Sequence, residues 1–126
     1  MDIRTRFGLL LTFAVLSGAG SAAAQAPAAV TPALIAQGDS IFHSKGNCYA
    51  CHGTNAQGAV GPNLTDAEWI HSDGSYDAIV KQITTGVAKE ESKSGIAMPP
   101  KGGSTITDDE VKAVAAYVYS LGHKKP

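Results

Sequence analysis

The spacing of apolar and polar positions is helical along most of this chain. The strongest pattern lies near the C-terminus. There Val111, Val114, Ala115 and Val118 recur at the intervals that place side chains on one face of an α-helix. Thr107-Asp108-Asp109-Glu110 precedes this stripe and reads as a capping box, with acids in the first turn where the helix dipole favours them. Gly122 is expected to end the helix. Tyr76 to Thr85 predicts a further helix, with Ile79, Val80 and Ile83 on one side and Gly86 just past its end. Ala33 to about Lys45 predicts the first helix, carrying Leu34, Ile35, Ile41 and Phe42, with Gly38 inside and Gly46-Asn47 as the break. Thr65-Asp66-Ala67-Glu68 is a second capping box and predicts a short helix through Trp69 and Ile70. Ala59 to Asn63 (AVGPN) is turn-like, and Val87 to Gly103 is a long polar loop containing Met98-Pro99-Pro100. No run alternates like a strand, so the expected fold class is all-α.

The first residues follow a different pattern. Met1 to Arg6 carries two arginines, Phe7 to Leu16 is mostly apolar, and small residues lead to Ala22-Ala23-Ala24. Basic, apolar, then A-x-A is the order of a secretory signal peptide, with cleavage expected after Ala24. The apolar core falls short of the ~20 residues of a membrane-spanning helix. An uncleaved anchor is the competing reading. Residues 25–32 (QAPAAVTP) read as a flexible tail, and residues 33–126 as one domain.

Composition narrows the picture. A chain of about 100 residues buries only ~65% of its unfolded surface. Phe42 is the only phenylalanine left after processing, beside Trp69, Tyr49, Tyr76, Tyr117 and Tyr119. Something other than side chains is expected to fill the middle. The formal net charge of −1 becomes −2 once Asp2, Arg4 and Arg6 are removed. That balance excludes the basic face of a nucleic-acid-binding protein. No arginine survives to clamp phosphate or carboxylate.

The candidate chemistry lies in Cys48-Tyr49-Ala50-Cys51-His52. C-x-x-C-H is the attachment signature of c-type haem. Residues three apart share one face of a helical turn. Both thiols can therefore meet the two vinyl groups on one porphyrin edge, and the next residue sets its imidazole under the iron. A disulfide or a redox dithiol competes with this reading, although a thioredoxin-like C-x-x-C belongs in a βαβ setting. A structural zinc site would need four ligands, and no second Cys/His pair exists. For the sixth iron ligand the candidates are His43, His71, His123 and Met98. Met98 is the expected distal ligand, since a polar loop stiffened by two prolines needs no apolar filler and Met/His ligation is an established cytochrome c arrangement. His71 is its rival. His123 is expected to be solvated.

With these residues in place the chain resembles the class I c-type cytochromes of bacteria. The resemblance covers nearly all of the mature chain. It rests on Gly38 and Phe42, then CYACH, Gly61-Pro62-Asn63-Leu64, Met98-Pro99, and Ala116-Tyr117-Val118, in that order. The stretches GPNLTDAEW, MPP and AAYVYSL are similar to the cytochrome subunits of high-affinity haem–copper oxidases, and also to small soluble cytochromes serving periplasmic dehydrogenases. The resemblance implies a cytochrome c fold, with N- and C-terminal helices crossing at Gly38, Phe42 and Tyr117, wrapped around one covalently bound haem c and its iron. It implies that the Pro62 carbonyl accepts from the His52 ring and that Leu64 packs on the haem face. Two roles stand open for Trp69: an indole N–H donated to a haem propionate, or core packing. Lys101, tyrosines or backbone amides would serve the propionates in the absence of arginine.

The expected function is electron transfer, not enzymatic catalysis. His/Met ligation fills both axial positions and raises the potential. The main expectation is a periplasmic carrier shuttling electrons between a dehydrogenase or quinol-oxidising complex and a terminal oxidase. The alternatives are a haem-bearing subunit of a larger redox complex, a thiol–disulfide oxidoreductase, or a peroxidase should Met98 leave the iron. Partners are expected to be transient redox proteins, met by a monomer that contacts membranes only through them. Lys45, Lys93 and Lys101 either line the exposed haem edge or are scattered solubility charges.

Overall fold

A computed structural model describes residues 26–124. The signal-peptide reading of residues 1–24 therefore lies outside the described residues. Helix α1 spans Pro32–Phe42, α2 Tyr49–His52, α3 Tyr76–Thr85 and α4 Asp108–Gly122, with a 3₁₀ turn at Pro100–Gly103. No strand occurs among the described residues, and the fold is all-α. No helix among them is long and apolar enough to cross a membrane.

Helix α4 is the centre of the molecule. Its predicted stripe is buried, and Ala113, Ala116 and Leu121 extend it. Its capping box forms in full: Glu110 N–H donates to Thr107 Oγ1 at 3.3 Å, and Thr107 N–H donates to Glu110 Oε2 at 2.9 Å. Two orphan donors of the first turn are thus satisfied reciprocally. Helix α1 packs on α4 where Gly38 meets Ala113 and Tyr117. Beside it the Phe42 and Tyr117 rings meet edge to face, centroids 5.3 Å apart. Helix α3 lies against α4 as well, and Tyr76 donates its hydroxyl to the Lys112 carbonyl at 3.2 Å.

The structure departs from the sequence reading in three places. Helix α1 stops at Phe42 rather than near Lys45, because Gly46 N–H turns back to the Ile41 carbonyl at 2.9 Å. Gly122 is the last helical residue rather than the terminator, and His123 is the C-cap. No helix follows Thr65. There Asn63 Oδ1 accepts from both the Thr65 N–H at 2.8 Å and its hydroxyl at 2.7 Å, and Asp66 Oδ1 accepts from Glu68 N–H at 3.1 Å. These local side-chain bonds give the backbone an alternative to the helix.

The polar loop has more structure than its composition suggests. Val87 and Met98 exchange both backbone hydrogen bonds, at 2.8 and 2.9 Å, in an isolated antiparallel bridge. This pinches the loop at its base and fixes Met98 beside the C-terminus of α3.

Candidate haem site

Cys48, Cys51 and His52 occupy one helical turn, so the two thiols share a face and the imidazole follows at once. Helix α2 is too short to be stable alone. It is held by its surroundings: Gly58 N–H donates to the His52 carbonyl at 2.7 Å, and Gly61 N–H to the Cys51 carbonyl at 2.8 Å. No disulfide joins Cys48 to Cys51; Cys51 is exposed and Cys48 half-buried.

The His52 ring is 9% exposed, and its Nδ1 stands 2.9 Å from the Pro62 carbonyl. A carbonyl only accepts, so Nδ1 carries the proton and Nε2 keeps a free lone pair. Burial pushes the His52 pKa down, partly opposed by the Pro62 carbonyl. A neutral, oriented imidazole with an available Nε2 is the form that binds a metal. Gly61 permits this arrangement. A Cβ there would lie 2.9 Å from His52 Cε1 and 3.0 Å from Nδ1, so the loop reaches the ring only without a side chain.

These groups open onto one apolar cavity. Phe42, Ile79, Ile83, Val114 and Val118 form its depth, and Cys48, Cys51, His52, Pro62 and Leu64 line it. Met98 lines it too, brought there by the bridge to Val87 and by Gly86, whose φ of 72° turns the chain away at the end of α3. A Cβ on Gly86 would lie 2.9 Å from the Pro100 nitrogen, so this turn also needs glycine for space. The donor set fits a covalently held haem: two thiols on one face, a fixed imidazole, a thioether, and apolar walls. Among the described residues no cluster of three or more His, Cys, Asp and Glu could hold a metal ion, which leaves a zinc cage without a third ligand. Burial pushes the Cys48 thiol up to about 11, against the lowered value a redox-active thiol requires.

Leu64 is half-buried at the cavity and donates its N–H to the Ala56 carbonyl at 2.8 Å. Trp69 also lines the cavity, wedged between Gly74 and Gly122; a Cβ on Gly122 would lie 2.5 Å from its Cζ2. Gly122, distant in sequence, thus helps seat the indole, and spacing alone carries no sign of it. Of the other histidines, His71 lines the cavity, so the structure brings both distal candidates to the site. His43 does not reach it. Its Nε2 lies 2.6 Å from the Thr54 carbonyl and its Nδ1 2.9 Å from the Asp39 carbonyl. His123 is exposed as expected, and its ring stacks on Tyr119 with centroids 3.9 Å apart. Lys101 lines the cavity; Lys45 lies away from it, paired with Glu110.

Comparison with known proteins agrees with this geometry. Residues 33–118 match the family model "Cytochrome C oxidase, cbb3-type, subunit III". The chain is 41% identical over 91 residues to the cbb3-type cytochrome c oxidase subunit CcoP of Rubrivivax gelatinosus, covering 71% of this chain and 27% of that protein. It is 43% identical over 94 residues to subunit FixP of Bradyrhizobium sp. strain ORS 278, covering 71% of this chain and 28% of that one. The chain thus spans less than a third of the length of these curated relatives. Among solved structures, cytochrome cL of Methylophaga aminisulfidivorans superposes with a TM-score of 0.59 at 24% identity, over 75% of this chain and 57% of that chain. The likeness supports the class I cytochrome c fold, and the family's cofactor is covalently bound haem c with its iron. The chain belongs to the cbb3-type cytochrome c oxidase subunit III family, as a c-type cytochrome domain.

Proposed function

We propose that this chain is a one-electron transfer domain and the haem-bearing part of a larger redox complex of the cbb3-oxidase kind. The relatives named CcoP and FixP are oxidase subunits, and this favours the complex-bound role over a freely diffusing shuttle. The observation that carries the electron-transfer reading is the His52 Nδ1–Pro62 bond at 2.9 Å on the turn that holds both thiols.

When bound, the haem supplies a one-electron Fe(III)/Fe(II) couple. Cys48 and Cys51 tether it by two thioether bonds. His52 ligates through Nε2, its orientation and donor strength set by Pro62. Met98 would supply the second iron ligand, and a soft thioether there favours the reduced state and raises the potential. The apolar walls act in the same direction by excluding water from the ring. Bound to the iron, Met98 would keep peroxide from it. Covalent attachment and partner contact take place in the periplasm.

The test is a reduced-minus-oxidised spectrum of the matured protein, before and after acid–acetone extraction. Sharp α and β bands that resist extraction are expected, with a Met-to-iron charge-transfer band that Met98→Ala abolishes. Extractable haem would end the covalent reading, and a wild-type protein without that charge-transfer band would pass the distal role to His71. Co-purification of the tagged protein with oxidase subunits separates the complex-bound role from the shuttle.

A further inference from the structure

His43 stands outside the cavity, yet it is tied to the haem-attachment turn. It follows directly on α1, and its Nδ1 lies 2.9 Å from the Asp39 carbonyl and 2.9 Å from the Asp39 carboxylate. Its Nε2 lies 2.6 Å from the carbonyl of Thr54, just past His52. Its ring is stacked on Tyr49, which sits between the two cysteines, with centroids 6.2 Å apart. A neutral imidazole has one N–H and a carbonyl only accepts, so only the imidazolium donates at both ends. The residue is exposed, so water can deliver that proton.

The titratable groups facing this ring are Asp39 from α1, Tyr49 from α2, and Tyr117 from α4, its centroid 6.0 Å away. Residues 53–58 carry no ionisable side chain and offer only the Thr54 carbonyl. Lys45, near in sequence, is paired with Glu110 instead. The Thr54 carbonyl, then that of Asp39, then the Asp39 carboxylate favour the charged ring and hold its pKa above 6.5. The Thr54 segment in turn is joined to the haem turn: Ala56 N–H donates to the Gly53 carbonyl at 2.9 Å, and Gly58 N–H to that of His52 at 2.7 Å.

We propose that His43 is a redox-linked proton site, where the domain takes up a proton as its haem takes up an electron. This rests on the haem reading above. The electron comes from the redox donor and the proton from water. Iron goes from Fe(III) to Fe(II) as the ring goes from imidazole to imidazolium, and reoxidation releases both. Electrostatics set the sign: Fe(III) carries one more positive charge than Fe(II), and a further cation beside the attachment turn disfavours it. The coupling is reciprocal, so the proton raises the potential and the electron raises the proton affinity of His43 by the same factor. About threefold is expected of an exposed group outside the cavity, where solvent screens the charge. Threefold corresponds to about 30 mV for a one-electron couple.

The midpoint potential of the haem-loaded protein is measured by visible redox titration from pH ~5 to ~9, across the range in which histidine changes charge. In parallel, the His43 ring proton is titrated by NMR in the ferric and the ferrous protein. The potential should fall by about 30 mV as pH rises through the folded His43 value. His43→Gln, which does not titrate, should lose this fall, and Asp39→Asn should move it to lower pH. The proton affinity of His43 should be about threefold higher in the ferrous state. That NMR comparison uses wild type alone and stands even where a variant folds poorly. A flat potential overturns the proposal, as does a fall that persists in His43→Gln or a His43 affinity equal in the two states. A failure of the haem reading would show earlier, as a protein without ferric and ferrous spectra.

Discussion

Gly38→Ala tests the packing on which the site is built. A Cβ at this position would lie 2.5 Å from the Ala113 carbonyl carbon, closer still to its oxygen, and 2.9 Å from Tyr117 Cβ. The carbonyl belongs to the middle of α4 and cannot rotate away, so α1 and α4 must part by about 1 Å in a close-packed interior. Two effects oppose each other. Alanine favours the helical state over glycine by ~1 kcal/mol. Against this, a gap of this size forfeits between a quarter and a half of the dispersion energy of the facing surfaces. Those surfaces include Phe42, fully buried, and Ala113 and Ala116, both at 0% exposure. Deleting a buried phenylalanine side chain costs about 3–5 kcal/mol by itself. Partial loss at Phe42 and its neighbours comes to about 3–4 kcal/mol, so packing wins by about 2–3 kcal/mol. For a domain of this size that is a fall in Tm of roughly 10–20 °C. The assay is thermal and guanidinium unfolding of the haem-loaded protein by far-ultraviolet circular dichroism, with the visible spectrum recorded in parallel. The haem bands should be unchanged below the transition, since Gly38 does not line the cavity. A Gly38→Ala protein as stable as wild type, or more stable, would refute the close approach, because only the propensity gain would remain.

Other expectations follow from individual contacts. Gly61→Ala crowds the His52 ring and should weaken its bond to Pro62; at ~1 kcal/mol for that hydrogen bond, the midpoint potential should rise by roughly 40 mV in a visible redox titration. Both ring nitrogens of His43 face carbonyls, which only the imidazolium can satisfy. The Thr54 carbonyl and then that of Asp39 hold its pKa above 6.5. The stability this contributes is complete below the unfolded value of ~6.5 and is lost as pH rises through the folded value. Urea midpoints should therefore fall over that window in wild type and less so in His43→Gln. Thr107→Ala removes a formed cap and should cost ~1 kcal/mol, whereas Thr65→Ala should stay within ~0.5 kcal/mol, both read from denaturant midpoints.

Much of the site was legible because its chemistry is local. The two thiols and His52 fall within one helical turn, and spacing alone places them on it. Met98 could be singled out by its setting, a methionine among prolines in a polar loop. What could not be read is how that loop returns to the site. The Val87–Met98 bridge pairs residues eleven apart with no alternating pattern to announce it. The close approaches at Gly61 and Gly86, and the Gly74–Trp69–Gly122 wedge, are likewise facts about neighbours in space. A glycine in sequence signals a turn as readily as a contact, so its role emerges only when the facing atom is known. The three lysines divide in the same way: Lys101 lines the cavity and Lys45 and Lys93 do not, and each has its own acid.

The two capping boxes show where local pattern stops being sufficient. Thr65-Asp66-Ala67-Glu68 and Thr107-Asp108-Asp109-Glu110 present the same cap and the same acid three residues on, yet only the second starts a helix. A cap satisfies donors at a terminus; it does not offset the cost of fixing the first turn. After Glu110 the apolar positions run on through Val111, Val114, Ala115, Val118 and Leu121, and each further turn buries more surface against α1 and α3. After Glu68 only Trp69 and Ile70 are apolar before His71-Ser72-Asp73-Gly74, so no second turn would have a face to bury. The backbone there is settled by the nearest competing acceptors, Asn63 and Asp66. The consequence is functional. An open segment, unlike a helix, carries Leu64 and Trp69 to the cavity wall and leaves Ile70 and Glu68 on its rim. The failed helix is thus what builds one side of the haem site.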